Sequence, residues 1–248
     1  MQRSTFLKYS IISAMSISAF PYFVFGQNTA QDVYYTTDEL MGKTEIPLFG
    51  KGINLQEPAY KDFTAMQKAA KADGISIQIV SSYRNFARQK SIWERKFYNY
   101  TEVENYTPIQ ALDAIITYST IPGTSRHHWG TDVDIIDGNI KTKGDVLNPE
   151  KFENGGPFEA LKKWMDANAA TYNFHLVYTN NAKRKGFKYE PWHYSYAPIS
   201  VPMLTAFRKK NILRLLQDAN FEGSEHFTSG FIQKYIQDNL LDINPILL

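Results

Sequence analysis

Two short stretches concentrate the groups able to do chemistry. Residues 125–134 read Ser-Arg-His-His-Trp-Gly-Thr-Asp-Val-Asp, and residues 190–193 read Glu-Pro-Trp-His. Three of the five histidines lie within them. Imidazole and carboxylate together are the donor set of a catalytic zinc site, which takes three protein ligands and leaves a fourth position to water. His127, Asp134 and His193 supply such a set. The metal in such a site lowers the pKa of water and polarises a carbonyl, so a nearby carboxylate is needed to move the proton. Glu190, three residues before His193, is the candidate. His128 competes with His127 as a ligand; in an extended segment, adjacent side chains point to opposite sides. His175 and His226 have no supporting motif and are expected to be structural.

The elements that must position these groups can be read from periodicity. Thr36-Thr37-Asp38-Glu39 marks a helix start in an otherwise loop-rich stretch. A helix is expected over 61–73, with Phe63, Met66, Ala69 and Ala70 on one face and Gly74 after its end. Residues 75–80 alternate as a strand, and Asn85 caps a helix running to about residue 97. A further helix is expected over 108–118. A strand over 131–136 is followed by Asp137-Gly138, a hairpin-like turn signal. A helix over 158–170 and strands over 174–178 and 188–194 complete the core. Residues 202–218 and 227–241 read as amphipathic helices. Without regular βαβ alternation, the order predicts an α+β fold: a small, mainly antiparallel sheet flanked by helices, with a helical C-terminal appendage.

Three groups of residues resemble the VanY-type D-alanyl-D-alanine carboxypeptidases, zinc peptidases grouped with lysostaphin-type endopeptidases and the hedgehog signalling domain. Ser125, His127, Gly130 and Asp134 meet the pattern Ser-x-His-x-x-Gly-x-x-x-Asp. Glu190, Trp192 and His193 meet Glu-x-Trp-His. Ser81, Tyr83, Arg84 and Gln89 meet a third element, Ser-x-Tyr-Arg followed by Gln. The three occur in family order and span about residues 60–200. The resemblance implies one Zn2+ per chain held by His127, Asp134 and His193, with Glu190 as general base. Arg84 would stabilise an oxyanion or hold the substrate, since a guanidinium clamps such groups with two parallel hydrogen bonds. Ser125, Gln89 and Tyr83 would bind substrate, Ser125 near its carboxylate. The family often has Ala where this chain has Asp132. On a strand Asp132 and Asp134 share a face, so Asp132 either orients a ligand histidine from behind or alters substrate choice. Family spacing favours Asp134 as the ligand. Gly130 is expected to meet a backbone need, positive φ or close approach.

The implied activity is removal of the terminal D-alanine from peptidoglycan stem peptides. The same apparatus also serves L,D-carboxypeptidases and endopeptidases, and a zinc-holding binding module without turnover is the remaining reading. Composition bounds the partners. Arg3 and Lys8 precede a nearly uncharged stretch from Ile11 to Phe25, with Val24 and Gly26 placed for signal cleavage after residue 26. That run is shorter than the about 20 apolar residues a span needs. Export to a periplasm or beyond is therefore expected, with no membrane span once the signal is removed. Its removal leaves 25 basic and 25 acidic residues, which argues against a nucleic-acid partner. The 248 residues hold no cysteine, so no disulfide supports the fold. The expected organisation is a signal peptide over 1–26, a loop-rich segment over 27–60, a zinc peptidase domain over 61–198 and the helical appendage over 199–248, acting as a monomer.

Overall fold

The computed structural model describes residues 34–248; the expected signal peptide lies outside them. Thr36 caps α1 (Thr37–Leu40) through a capping box with Glu39. Helix α2 (Glu57–Ala72) starts four residues earlier than periodicity suggests, because a proline is placed in its first turn, where no N–H is lost. Strand β1 (Ile77–Ser81) follows, then α3 (Phe86–Tyr98), whose cap Asn85 accepts from the Arg88 N–H. Helix α4 (Pro108–Ile115) carries a second capping box at Thr107. Strand β2 (Asp132–Asp137), α5 (Glu159–Asn168), β3 (Phe174–Leu176) and β4 (His193–Tyr196) complete the sheet region. Helices α6 (Ala197–Arg208), α7 (Ile212–Gln217) and α8 (Ser229–Tyr235) end the fold.

The sheet is wholly antiparallel, in the order β1-β2-β4-β3. Every residue of the central strand β2 is buried. Alternation divides its residues: Val133 and Ile135 enter a core with Phe63, Met66, Phe158 and Phe174, while Asp132 and Asp134 take the opposite face. Strand β4 does the same, with Tyr194 and Tyr196 in that core and His193 and Ser195 opposite. A second core gathers Trp93 and Phe97 of α3, Leu112 of α4, and Met203, Phe207, Leu216, Ile232 and Tyr235 of the C-terminal helices.

Other local expectations differ from the structure as well; the helix expected over 108–118, for one, ends at Ile115. The last strand begins at His193 rather than 188, since Pro191 cannot donate to a ladder and the His193 N–H turns back to Glu190 O. Asp137 makes no hairpin: its carboxylate accepts from the Ser76 and Asn139 N–H groups, capping the β1–β2 edge. The helix expected over 202–218 is two helices, because Asn211 caps a new start at Ile212. The helix expected over 227–241 ends at Tyr235 and widens into a π-helical turn over Ile236–Leu240.

The C-terminal segment reaches back over the sheet side of the molecule. Asn244 bonds Leu176 O and Val177 O, Asn239 bonds Ile116 O, and Asp242 accepts from Arg184 and the Lys185 N–H. Gly186 lies so close that a Cβ there would collide with the Asp238 carbonyl oxygen. Arg184 also bonds Thr179 O and Phe187 O, which shapes the loop that carries Phe187. Among the described residues no helix is long and apolar enough to cross a membrane.

Candidate metal centre

The site is built by register. In the β2–β4 ladder Asp134 stands opposite His193, and Asp132 opposite Ser195. In the β1–β2 ladder an irregularity between Ile79 and Ser81 places Ser81 opposite Asp134. Arg126–Trp129 form a 3-10 turn ended by Gly130, which has φ 63°. That left-handed backbone is what calls for glycine at this position; a Cβ there would meet, at closest, only the movable end of the Leu48 side chain, at 2.9 Å. The turn is stitched to the strand end that carries Arg84: the Arg84 N–H bonds His127 O, and His127 Nδ1 donates to Ser82 O at 2.7 Å.

One ligand atom each from His127, Asp134 and His193 lies within 4.8 Å of the others, and all three residues are buried. Ser82 O can only accept, so His127 Nδ1 holds the proton and Nε2 presents its lone pair, 3.4 Å from Asp134 Oδ2. His193 Nε2 donates to Asp132 Oδ2 at 2.9 Å, which turns Nδ1 toward Asp134 and Glu190. Metal-binding histidines are oriented in this way, by a carbonyl or carboxylate on the far nitrogen. Asp134 Oδ1 is buried and lacks a hydrogen-bond partner. A buried carboxylate oxygen without a partner, beside two imidazole nitrogens, fits a zinc ion by charge and donor type.

Asp132 lies behind the triad. It takes hydrogen bonds from Arg126 Nε at 3.0 Å, Thr131 Oγ1 at 2.7 Å, Ser195 Oγ at 2.6 Å and His193. Although burial opposes its charge, Arg126 and His193 hold its pKa far below the carboxylate range. Without a metal, burial disfavours the His193 cation, but Asp132 and Glu190 outweigh this and push its pKa up to about 10, so a metal held at Nδ1 would displace a proton from that nitrogen. Burial raises the Glu190 carboxyl against the pull of His193, 3.1 Å away.

His128 is not among the candidate ligands: it sits in a 3-10 turn and not an extended segment, yet still faces away from the triad and is fully buried. Its Nδ1 donates to Arg84 O at 2.6 Å, and its Nε2 accepts from the Gly123 N–H at 3.1 Å. Both nitrogens are thus engaged with backbone, and burial pushes its pKa down to about 3. His175 sits half-buried in β3, and His226 faces Glu225 near the surface.

A cleft of about 520 Å³ opens onto the triad. Arg84, Gln89, Ser125 and Glu190 line it, together with Trp192, which also packs on Phe152. Besides Asp134 Oδ1, four buried polar atoms of the cleft's lining residues have no partner: Arg84 Nε, Gln89 Oε1, Ser125 Oγ and Arg126 Nη1. Tyr83 is not in this cleft. It follows Ser82 in extended chain and faces the other way, into a groove with Lys43, Glu45 and Phe86. Trp129 is a core residue, with its indole N–H on Leu40 O. No motif marks Lys96, Asp145, Tyr178 or Phe187, which also line the cleft. Of these only Lys96 carries a readable signal, lying seven residues after Gln89 on the same helix face.

A family model described as VanY, D-alanyl-D-alanine carboxypeptidase, matches residues 52–199. An uncharacterized protein of Haemophilus influenzae is 38% identical over 119 residues, which make up 47% of this chain and 91% of that protein. The D-alanyl-D-alanine carboxypeptidase of Enterococcus faecalis is 31% identical over 132 residues, 53% of this chain; the chain spans 44% of the length of that relative. The crystal structure of the vancomycin-resistance D,D-pentapeptidase VanY in complex with Zn(II) matches with a TM-score of 0.50 at 26% identity, covering 67% of this chain and 85% of that one. VanYB in complex with D-alanine-D-alanine shares the fold, with a TM-score of 0.51 at 23% identity over 72% of this chain and 92% of that one. The matched span holds the whole triad, Glu190 and the cleft-lining Arg84, and the chain belongs to the VanY family of zinc metallopeptidases, described as D-alanyl-D-alanine carboxypeptidases.

Proposed function

We propose that this protein is a zinc-dependent carboxypeptidase that removes the terminal D-alanine from peptidoglycan stem peptides. The observation that carries the reading is the buried His127–Asp134–His193 group beside Glu190, facing a cleft with unpartnered polar atoms. His127 Nε2, the Asp134 carboxylate and His193 Nδ1 would hold one zinc ion per chain. When bound, zinc supplies Lewis acidity, easing ionisation of a water and polarising the scissile carbonyl. Glu190 accepts the proton of the attacking water and passes it to the amide nitrogen of the departing D-alanine. Its burial suits it to hold that proton in transit. Arg84 directs its guanidinium at the carbonyl oxygen as negative charge develops there. Ser125 and Gln89 hydrogen-bond the bound peptide, satisfying atoms that have no partner within the protein. Residues 61–198 carry all these groups. The substrate lies outside the cytoplasm, so the reading also requires the export assigned to residues 1–26; a monomer suffices for the chemistry.

Purified protein incubated with defined stem pentapeptides is expected to release D-alanine, followed by mass spectrometry, and to stop when a chelator removes the metal. Glu190→Gln should lower kcat about a thousandfold while zinc content is kept. Undiminished turnover in that variant would rule out the assigned proton transfer. Cleavage only of tetrapeptides or cross-bridged dimers would move the reaction to an L,D-bond or an internal bond.

A further inference from the structure

We propose that Lys96 binds the free C-terminal carboxylate of the substrate and thereby restricts this cleft to carboxypeptidase cleavage. The inference rests on the function proposed above.

Gln89, Ile92 and Lys96 of α3 recur at helical spacing and face the cleft, while Trp93 and Phe97 face the core. Lys96 is half-buried. Its one hydrogen-bond partner among the described residues is Ser119 Oγ, at 2.7 Å, and it forms no ion pair. A lysine withdrawn from water without a counter-charge is costly, and burial accordingly lowers its pKa. Of the other cations lining the cleft, Arg126 is fixed by Asp132 and Ser195, with Nη1 alone left without a partner, and Arg84 faces Asp134 and Glu190 across the metal site. Lys96 also lies within electrostatic reach of Glu190 and Asp145. The carboxylate of a departing residue lies about 3.8 Å beyond the scissile carbonyl, one residue along the chain. A cation held on the wall near Glu190 is placed to meet it. Ser119 steadies the ammonium, and Gln89 Nε2 on Thr120 O holds the loop that carries Ser119 against α3.

The test is calorimetric titration of the zinc-loaded Glu190→Gln protein, which binds without turnover. The probes are an N-acyl-D-alanyl-D-alanine, its C-terminal amide, and an amide bearing a side-chain carboxylate upstream of the scissile bond. The free acid should bind ten- to a hundredfold more tightly than either amide, as a charge-assisted hydrogen bond allows. Adding Lys96→Met should erase that preference by weakening the acid alone; Lys96→Arg should restore most of it. Equal binding of acid and amide, no measurable binding of the acid, a preference for the side-chain carboxylate, or equal weakening of all probes by Lys96→Met would each overturn the assignment. Wild-type turnover is read separately. A protein that prefers the acid yet releases no D-alanine would sink the proposed reaction and leave Lys96 in its role.

Discussion

Asp132 and Ser125 lie seven residues apart, and both are buried, at 0% and 1% exposure. Asp132 has four hydrogen-bonding partners; Ser125 Oγ has none. The same contrast divides the two sides of the site. Behind the triad, the polar groups of β2 and β4 are largely satisfied by one another, and both outer histidine nitrogens are tied down. On the substrate side, Arg84, Gln89 and Ser125 keep unpartnered atoms in the cleft. One side has spent its hydrogen bonds on geometry before any ligand arrives. The other retains unmet capacity, which a bound peptide can satisfy.

The contrast predicts opposite responses to mutation. Asp132→Ala would strand the Arg126 guanidinium, buried at 5% exposure, and release His193. Breaking a buried pair in this way costs about 3–5 kcal/mol of stability. Losing the partner of a ligand histidine weakens metal binding by about 10–100-fold. Denaturant titration and chelator competition measure the two losses. A variant that stays as stable as wild type would show that the sheet side is not held by this network.

The next effect is on pH. His128 has a folded pKa near 3 against about 6.5 unfolded, so the unfolded chain binds a proton that the folded one refuses. Its contribution to stability is complete above pH 6.5 and drains as pH falls toward 3. By pH 5 it alone should cost about 2 kcal/mol. Urea midpoints at pH 7 and pH 5 should differ by less in His128→Gln. An unchanged slope in that variant would remove His128 from the account.

The smallest effect on stability belongs to the substrate side. Ser125→Ala removes a hydroxyl that bonds nothing in the protein, so stability should move by no more than about 0.5 kcal/mol. The same change should raise KM several-fold, about 1 kcal/mol of lost substrate hydrogen bonding, with kcat held. A large loss of stability would erase the distinction between the two sides.

The sequence states the contrast unevenly. His127, Asp134, His193 and Glu190 are legible because they cluster in two short stretches whose donor types and spacing match Ser-x-His-x-x-Gly-x-x-x-Asp and Glu-x-Trp-His. Alternation puts Asp132 on the face of Asp134 and leaves two roles open; its bond to His193 Nε2 comes from the structure. Its partners Arg126 and Ser195 are not legible, because a 3-10 turn and a cross-strand register bring them in. The true setting of His128 depends on that same turn. Tyr83 shares a motif with Arg84 but faces another groove, which adjacency in an extended chain accounts for. Tyr178 and Phe187 join the cleft through packing between segments far apart in sequence, and neither composition nor motif encodes such contacts. The capped helices α1 and α3 were readable because their signals span four residues.

Every group assigned to the chemistry lies at or before residue 193. Yet the end of α4, the loop bearing Phe187 and the end of β3 are fastened by Asn239, Asp242 and Asn244. A chain cut back to residue 238 would keep its full set of reactive side chains and lose the contacts that hold the cleft walls together. Competence is thus a property of docked segments, and not of the reactive residues alone.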